Sequence, residues 1–270
     1  MVGYFPDQVQ FPYSKIHKER IMSYIPVAVE MYSVRKEFSE NPLKTMQALK
    51  AMGYEGVEFA GAPQYSNDFY AALLKETGLV CCGWHTPWNL FQGDALEETI
   101  QRNLAVGNKY LIVPWFQAPT QDGWKEFGRQ VNDVAAKLAK YGMRIGYHNH
   151  AHDFTQLEGV RTWDTFFSVT DPRVLIQVDT GNAVAGGADI MAELNGKCAG
   201  RAKTIHLKPY SQARQFEPMI GEDECPWKEI FDFCQAKGDT EWYVIEYECE
   251  ICPALEAVEK CLKAVRAMQA

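Results

Sequence analysis

The chain has 270 residues, 47% hydrophobic and 23% charged, a balance that gives an ordered globule with a sizeable core and excludes a disordered chain. Its formal net charge of −8, with no basic stripe, argues against a polyanion partner, and no apolar run approaches the ~20 residues that span a bilayer. The eight cysteines (81, 82, 198, 225, 234, 249, 252 and 261) are scattered through a chain without a secretory leader, which points to reduced thiols in a cytoplasm. The Cys249-Glu250-Ile251-Cys252 motif lacks the second pair of a zinc ribbon and the setting of a thioredoxin motif, so it reads as chance.

Residues 1–21 follow neither the helical nor the strand period and read as a loosely attached arm, or as sequence preceding a true start at Met22. From Tyr24 short β-rich runs alternate with longer helical patterns, the signature of a parallel sheet with crossover helices, here as one domain over 22–270. Ile25 to Val34 is the first strand. Asn41-Pro42 opens a helix through Met52, because proline loses nothing at a first helical position. Val57-Glu58-Phe59 is strand two, and Asn67 or Asp68 caps a helix to Thr77. Leu79 to His85 is strand three. Asp94 starts a helix with Leu96, Ile100, Leu104 and Ala105 on one face, and Tyr110 to Val113 is strand four.

Asp122 to Tyr141 is a long helix with Phe127, Val131, Val134, Ala135 and Leu138 on one face, ended by Gly142. The run from Met143 to His148 is strand five, which delivers three of the six histidines, His148, His150 and His152, at its end. Trp163 to Val169 is a helix, Val174 to Val178 strand six, and a Gly-rich link leads to a helix near Asp189 to Leu194. Lys203 to Leu207 is strand seven. A long loop, Pro209 to Pro226, precedes a helix to Ala236; Trp242 to Tyr247 is strand eight, and Pro253 to Met268 closes the chain. Eight strand–helix units in about 245 residues match a (β/α)8 TIM barrel, whose typical size is ~250 residues. A doubly wound open sheet is the alternative, but no G-x-G-x-x-G follows an early strand.

Such barrels carry their active sites at the C-terminal strand ends. There the chain places Glu58, His85, His148 with His150, Asp179, His206 with Lys208, and Glu246 with Glu248, so five of six histidines fall at strand exits. Closure lets His148, Asp179, His206 and Glu246 offer two nitrogens and two carboxylates to one divalent ion, a set that suits Mn, Fe, Co or Zn better than Ca or Mg. Each residue also has a plainer role. His148 and His206 could be hydrogen-bonded core groups, Asp179 a cap on the following turn, Glu58 half of an ion pair and Arg214 a surface charge. Trp84, Trp88, Trp115 and Phe116 could wall a sugar face or simply pack.

The motifs GYEGVEFAG at 53–61, GYHNHAHDF at 146–154, VDTGNAVAGGAD at 178–189, IHLKPY at 205–210 and YVIEYE at 243–248 together resemble the sugar phosphate isomerase/epimerase family of xylose isomerase-like TIM barrels, in a branch with a YHNH motif on strand five. The resemblance runs over nearly the whole chain from about Met22. It implies one divalent metal, Mn or Zn in the first place with Fe, Co and Mg behind them, held by His148, Asp179, His206 and Glu246. This chain departs from the family's pattern in having His148 where many epimerases carry a metal-binding Glu, and Asn182 where Asp-Thr-Gly-His is common. The paired carboxylate bases of ketose 3-epimerases are therefore absent.

The reading that follows is a metal-dependent isomerase or epimerase of a sugar or sugar derivative. It would abstract a proton beside a carbonyl and stabilise an enediolate on the metal, with Glu246 or His150 as general base. Glu58, His85, Asn182, Lys208, Arg214 and Trp115 would contact substrate. A dehydratase of keto-inositols or a lyase on 3-oxo-glycosides uses the same enolisation; an endonuclease IV-like hydrolase sits poorly with the acidic balance; a non-catalytic sugar-binding barrel is the reading of a different class. The expected partner is a small carbohydrate, with no nucleic acid and no membrane, and with homo-oligomerisation left open.

Overall fold

The computed structural model describes residues 24–269, so the arm proposed for residues 1–21 and the start at Met22 lie outside the described residues. Eight parallel strands form the sheet: β1 Val27–Glu30, β2 Gly56–Ala60, β3 Val80–His85, β4 Tyr110–Val113, β5 Arg144–His148, β6 Leu175–Gln177, β7 Thr204–Leu207 and β8 Trp242–Ile245. Their order is β6-β5-β4-β3-β2-β1-β8-β7. The seam between β6 and β7 is joined by the single parallel bridge Asp179–His206, where His206 N donates to Val178 O at 2.8 Å. The sheet thus comes round into a nearly closed barrel, not the doubly wound alternative. The seam passes through two of the residues expected to bind metal.

Strand residues alternate between the two faces. Val27, Val29, Val57, Ile145, Tyr147, Ile176, Ile205 and Ile245 join one large core between strands and helices. The intervening positions point into the barrel, where Ala28, Cys82 and Val244 fill part of the lumen and Tyr110, Ile112 and Leu175 another part. Carried upward by two residues, the same face presents Glu30, Glu58, His148, Gln177, Asp179, His206 and Glu246. All seven are buried.

The helices are where their apolar spacing and caps place them. In the helix Gln121–Leu138, Phe127, Val131, Val134 and Leu138 are buried, each worth roughly 1.5–3 kcal/mol of removed apolar surface. Thr120 caps it by accepting from Gly123 N at 3.2 Å. Asn41 caps Pro42–Met52, and Ser66 rather than Asn67 or Asp68 caps Asn67–Thr77.

Four local departures have physical causes. The first strand stops at Glu30, not Val34, because the chain turns into the 3₁₀ segment Met31–Val34 and the helix Arg35–Glu40, held by Tyr247 N donating to Ser33 Oγ. The Gly-rich link after β6 begins with a helix, Thr180–Ala185, capped by Asp179. Residues 155–161 form a small hairpin, Gln156–Leu157 with Val160–Arg161, around Glu158 and Gly159 at positive φ. The helix after the long loop ends at Phe233 and continues as a π turn to Gly238.

Candidate metal centre

One donor atom from each of His148, Asp179, His206 and Glu246 lies within 4.8 Å of the others. These are the four residues expected from the sequence. They come from the ends of β5, β6, β7 and β8 and are at most 5% exposed. His206 is the hub. Its Nδ1 meets Glu246 Oε2 at 2.6 Å and its Nε2 meets Glu58 Oε2 at 2.5 Å. Burial disfavours a charged imidazole here, but the two carboxylates outweigh it and hold the His206 pKa well above its ordinary value.

Asp179 caps the next helix with one oxygen and leaves the other unengaged. Oδ1 caps the following helix by accepting from Asn182 N at 2.7 Å, while Oδ2, fully buried, accepts no hydrogen bond. Burial, reinforced by Glu246, pushes the Asp179 pKa up to about 8, although Lys208 pulls the other way. A buried carboxylate oxygen without a partner is costly. Facing two imidazoles and a second carboxylate, it fits a divalent cation, and the donor set suits Mn, Fe, Co or Zn.

Gln177, not singled out from the sequence, organises the layer beneath. Its Nε2 has three acceptors: Glu58 Oε1 at 3.0 Å, Glu58 Oε2 at 3.1 Å and Thr204 Oγ1 at 2.8 Å. Its Oε1 must then accept from His85 Nε2 at 2.7 Å and His148 Nδ1 at 3.1 Å. Each imidazole is fixed as one neutral tautomer, and His148 keeps its Nε2 lone pair for a metal. Burial, with His206 and His85 nearby, holds the His148 pKa well below the usual value, which keeps it neutral.

Glu58 sits against the backbone of β3, where a Cβ on Gly83 would stand 2.0 Å from Glu58 Oε1. Only glycine leaves room for that carboxylate, and the strand register shifts at Val57/Glu58. Glu30, at the end of β1, was also missed; a Val-Ala-Val-Glu run ending an interior-facing strand was the available signal.

Lys208 closes the other side, its Nζ donating to Glu246 Oε1 at 3.0 Å and Glu248 Oε1 at 2.5 Å. Burial and the neighbouring Glu246 push the Glu248 pKa up to about 7. Burial resists charging Glu246, but Lys208 and His206 outweigh it and keep the carboxylate ionised. His150 lies beside His148, with ring centroids 5.0 Å apart. Its Nδ1 is buried without a partner, and burial lowers its pKa to about 4.

The other expected contacts divide. His85 and Glu58 lie deep, bonded to each other's partners, with His85 Nε2 3.4 Å from Glu58 Oε2. Asn182 donates to Asn149 O at 3.3 Å. Arg214 bonds within its own loop, to Glu222 O at 3.1 Å. Trp115, 48% exposed, lies 4.8 Å from the His150 ring and 4.2 Å from His152. Of the four aromatics read as a wall, it alone is open. Trp84 is buried and donates to Gly61 O, Phe116 stacks on Phe127 at 3.7 Å, and Trp88 packs edge-on to Phe127.

Parallel β/α closure with an inward His/Asp/His/Glu set at the C-terminal strand ends defines a TIM barrel whose mouth carries a group of side chains that could hold a metal ion. The chain belongs to the xylose isomerase-like TIM barrel family, whose model matches residues 46–268. It is 26% identical to the inosose dehydratase of Lactiplantibacillus plantarum over 168 residues, 56% of this chain and 54% of the relative. It is 25% identical to the rhizopine catabolism protein MocC of Rhizobium meliloti over 196 residues, 63% of this chain and 58% of the relative. The chain thus matches little more than half the length of these curated relatives. A sugar phosphate isomerase/epimerase from Parabacteroides distasonis superposes with a TM-score of 0.77 at 19% identity, covering 93% of this chain and 96% of that one.

Proposed function

We propose that this protein is a divalent-metal-dependent enzyme that removes a proton next to the carbonyl of a small polyhydroxylated substrate and then expels the β-hydroxyl as water. A keto-cyclitol or keto-sugar is the substrate class. The observation that carries this reading is the asymmetry of the site. Carboxylates (Asp179, Glu246, Glu248) come from the ends of β6 and β8, and a neutral imidazole stands at the strand-five position, where many epimerases carry a second carboxylate. The inosose dehydratases among the relatives support the same assignment.

His148, Asp179, His206 and Glu246 would hold the cation, which when bound supplies Lewis-acid polarisation of a carbonyl oxygen. Glu246, clamped by His206 and Lys208, is poorly placed to move as a base. His150, neutral and with Nδ1 unengaged, is the group available to take the proton. The C–H electron pair then forms the double bond. Glu248, with its pKa near 7 and its side chain 35% exposed, gives a proton to the departing hydroxyl, which leaves as water. Trp115 offers an apolar face at the mouth.

Isomerisation or epimerisation is the second reading, supported by the same pair of proton-transfer groups, His150 and Glu248, when the proton returns to carbon instead. Eight free cysteines, six of them buried, fit a reducing compartment such as the cytoplasm. Among the described residues, no helix is long and apolar enough to cross a membrane.

The test is solvent deuterium exchange into a panel of keto-inositols, keto-sugars and 3-oxo-glycosides, with and without chelator. Chelator-sensitive exchange with loss of water supports the dehydratase, and exchange with an isomeric product supports the second reading. No exchange into any of them, with ligand binding intact in Glu246→Gln, would leave a non-catalytic sugar-binding barrel.

A further inference from the structure

Beneath the four-residue centre lies a second set of ligand-type side chains, of which only His206 has a role in the chemistry above. Donor atoms of Glu30, Glu58, His85 and His206 also lie within 4.8 Å of one another. The set is built into the sheet: Glu30 pairs in register with Glu58, and His85 ends the next strand. Glu30 is 1% exposed, and neither of its carboxylate oxygens accepts a hydrogen bond. That is an expensive state for a carboxylate aimed into a barrel.

His85 is turned toward it. Because Gln177 Oε1 accepts the His85 Nε2 proton, the lone pair is on Nδ1, 3.9 Å from Glu30 Oε1. That separation is too long for a hydrogen bond, yet within the ~4.2 Å that two metal–ligand bonds of ~2.1 Å can span.

We propose that Glu30, Glu58 and His85 form a second divalent-cation site, a closed structural one, with His206 keeping its Nε2 proton on Glu58 as the wall between the two ions. Glutamate oxygens with one imidazole suit Mn, Fe or Zn. The site rests on its own residues and goes beyond the proposed reaction.

Metal content per chain, measured by mass spectrometry after loading with Mn²⁺ alone and gel filtration, tests it. Two ions are expected in the parent protein, one in Glu30→Gln and one in Asp179→Asn. Anomalous diffraction from Mn-loaded parent crystals should give a peak among Glu30, Glu58 and His85, which keeps the test independent of how well the variants fold. One ion that Glu30→Gln retains and Asp179→Asn loses, with no deep anomalous peak, overturns the second site and leaves the upper one standing. No bound ion in the parent overturns both.

Discussion

The carboxamide oxygen of Gln177 faces Nδ1 of His148 at 3.1 Å, and this contact decides which imidazole nitrogen is left for a metal. The same oxygen holds His85, and the amide nitrogen Nε2 of Gln177 holds Glu58, so one amide sets the protonation pattern of three neighbours. Gln177→Leu should weaken metal binding ~10–100-fold, the usual cost of losing an outer partner of a ligand. It should also destabilise the protein by about 1–3 kcal/mol, because buried donors and acceptors lose their partner. Competition with a chromophoric chelator and urea unfolding read the two effects separately. Unchanged affinity would mean that His148 is not oriented through this amide.

Metal uptake should be strongly pH-dependent. A ligand must be deprotonated to bind, and burial raises the Asp179 pKa to about 8, above the unfolded value, so below that pH binding displaces its proton. His206, also raised, gives up its Nδ1 proton as well. Apparent affinity is therefore expected to climb by at least tenfold per pH unit up to about pH 8. For the metal-free protein the sign is the reverse. A carboxyl with a raised folded pKa makes the native state bind more protons than the unfolded chain, so its contribution to stability falls as pH rises from about 4 to about 8. Isothermal titration at several pH values, beside melting of the metal-free protein, checks both slopes.

Gly83→Ala should be costly although the added group is a single methyl. Its Cβ would stand 2.0 Å from Glu58 Oε1, and Glu58 cannot retreat without leaving His206 and Gln177. Overpacking of this kind costs typically 1–3 kcal/mol. Urea unfolding of the variant measures it; stability equal to the parent's would show that the Glu58 carboxylate has room to move.

Much of this architecture was legible in the sequence because its signals are local. Alternating strand and helix periods gave all eight barrel strands to within a few residues, and the ligand-type residues that end apolar runs, together with the family resemblance, put His148, Asp179, His206 and Glu246 at strand ends. What stayed hidden depends on contacts between distant segments. Gln177, inside the run Leu175–Gln177, looks like an ordinary strand residue until the barrel closes around Glu58, 119 positions away. Glu30 was hidden because Ile25 to Val34 reads as one strand; the turn at Met31 is set by Tyr247 N bonding Ser33, 214 positions away. Trp84 and Phe116 carry no local mark of which side of the barrel they face, and both pack away from the lumen.

His148 and His150 are two residues apart, yet they should fail differently when changed. His148 is a donor of the four-residue set, so His148→Gln should lose metal and activity together. His150 contributes no donor atom to that set; its Nδ1 is buried without a partner. Its neutral state at pH 7 follows from burial, which lowers its pKa to about 4. As a general base it should contribute ~10²–10⁴-fold. His150→Gln is therefore expected to bind metal like the parent and to lose kcat by that factor, with deuterium exchange falling in parallel. A carboxylate at the same position, His150→Glu, can accept the same proton, so it should recover part of the lost exchange. Loss of metal in His150→Gln would instead make His150 a ligand or its support. Full exchange in His150→Gln would move the base role to Glu246 or Glu248, and Glu248→Gln would then show the larger defect.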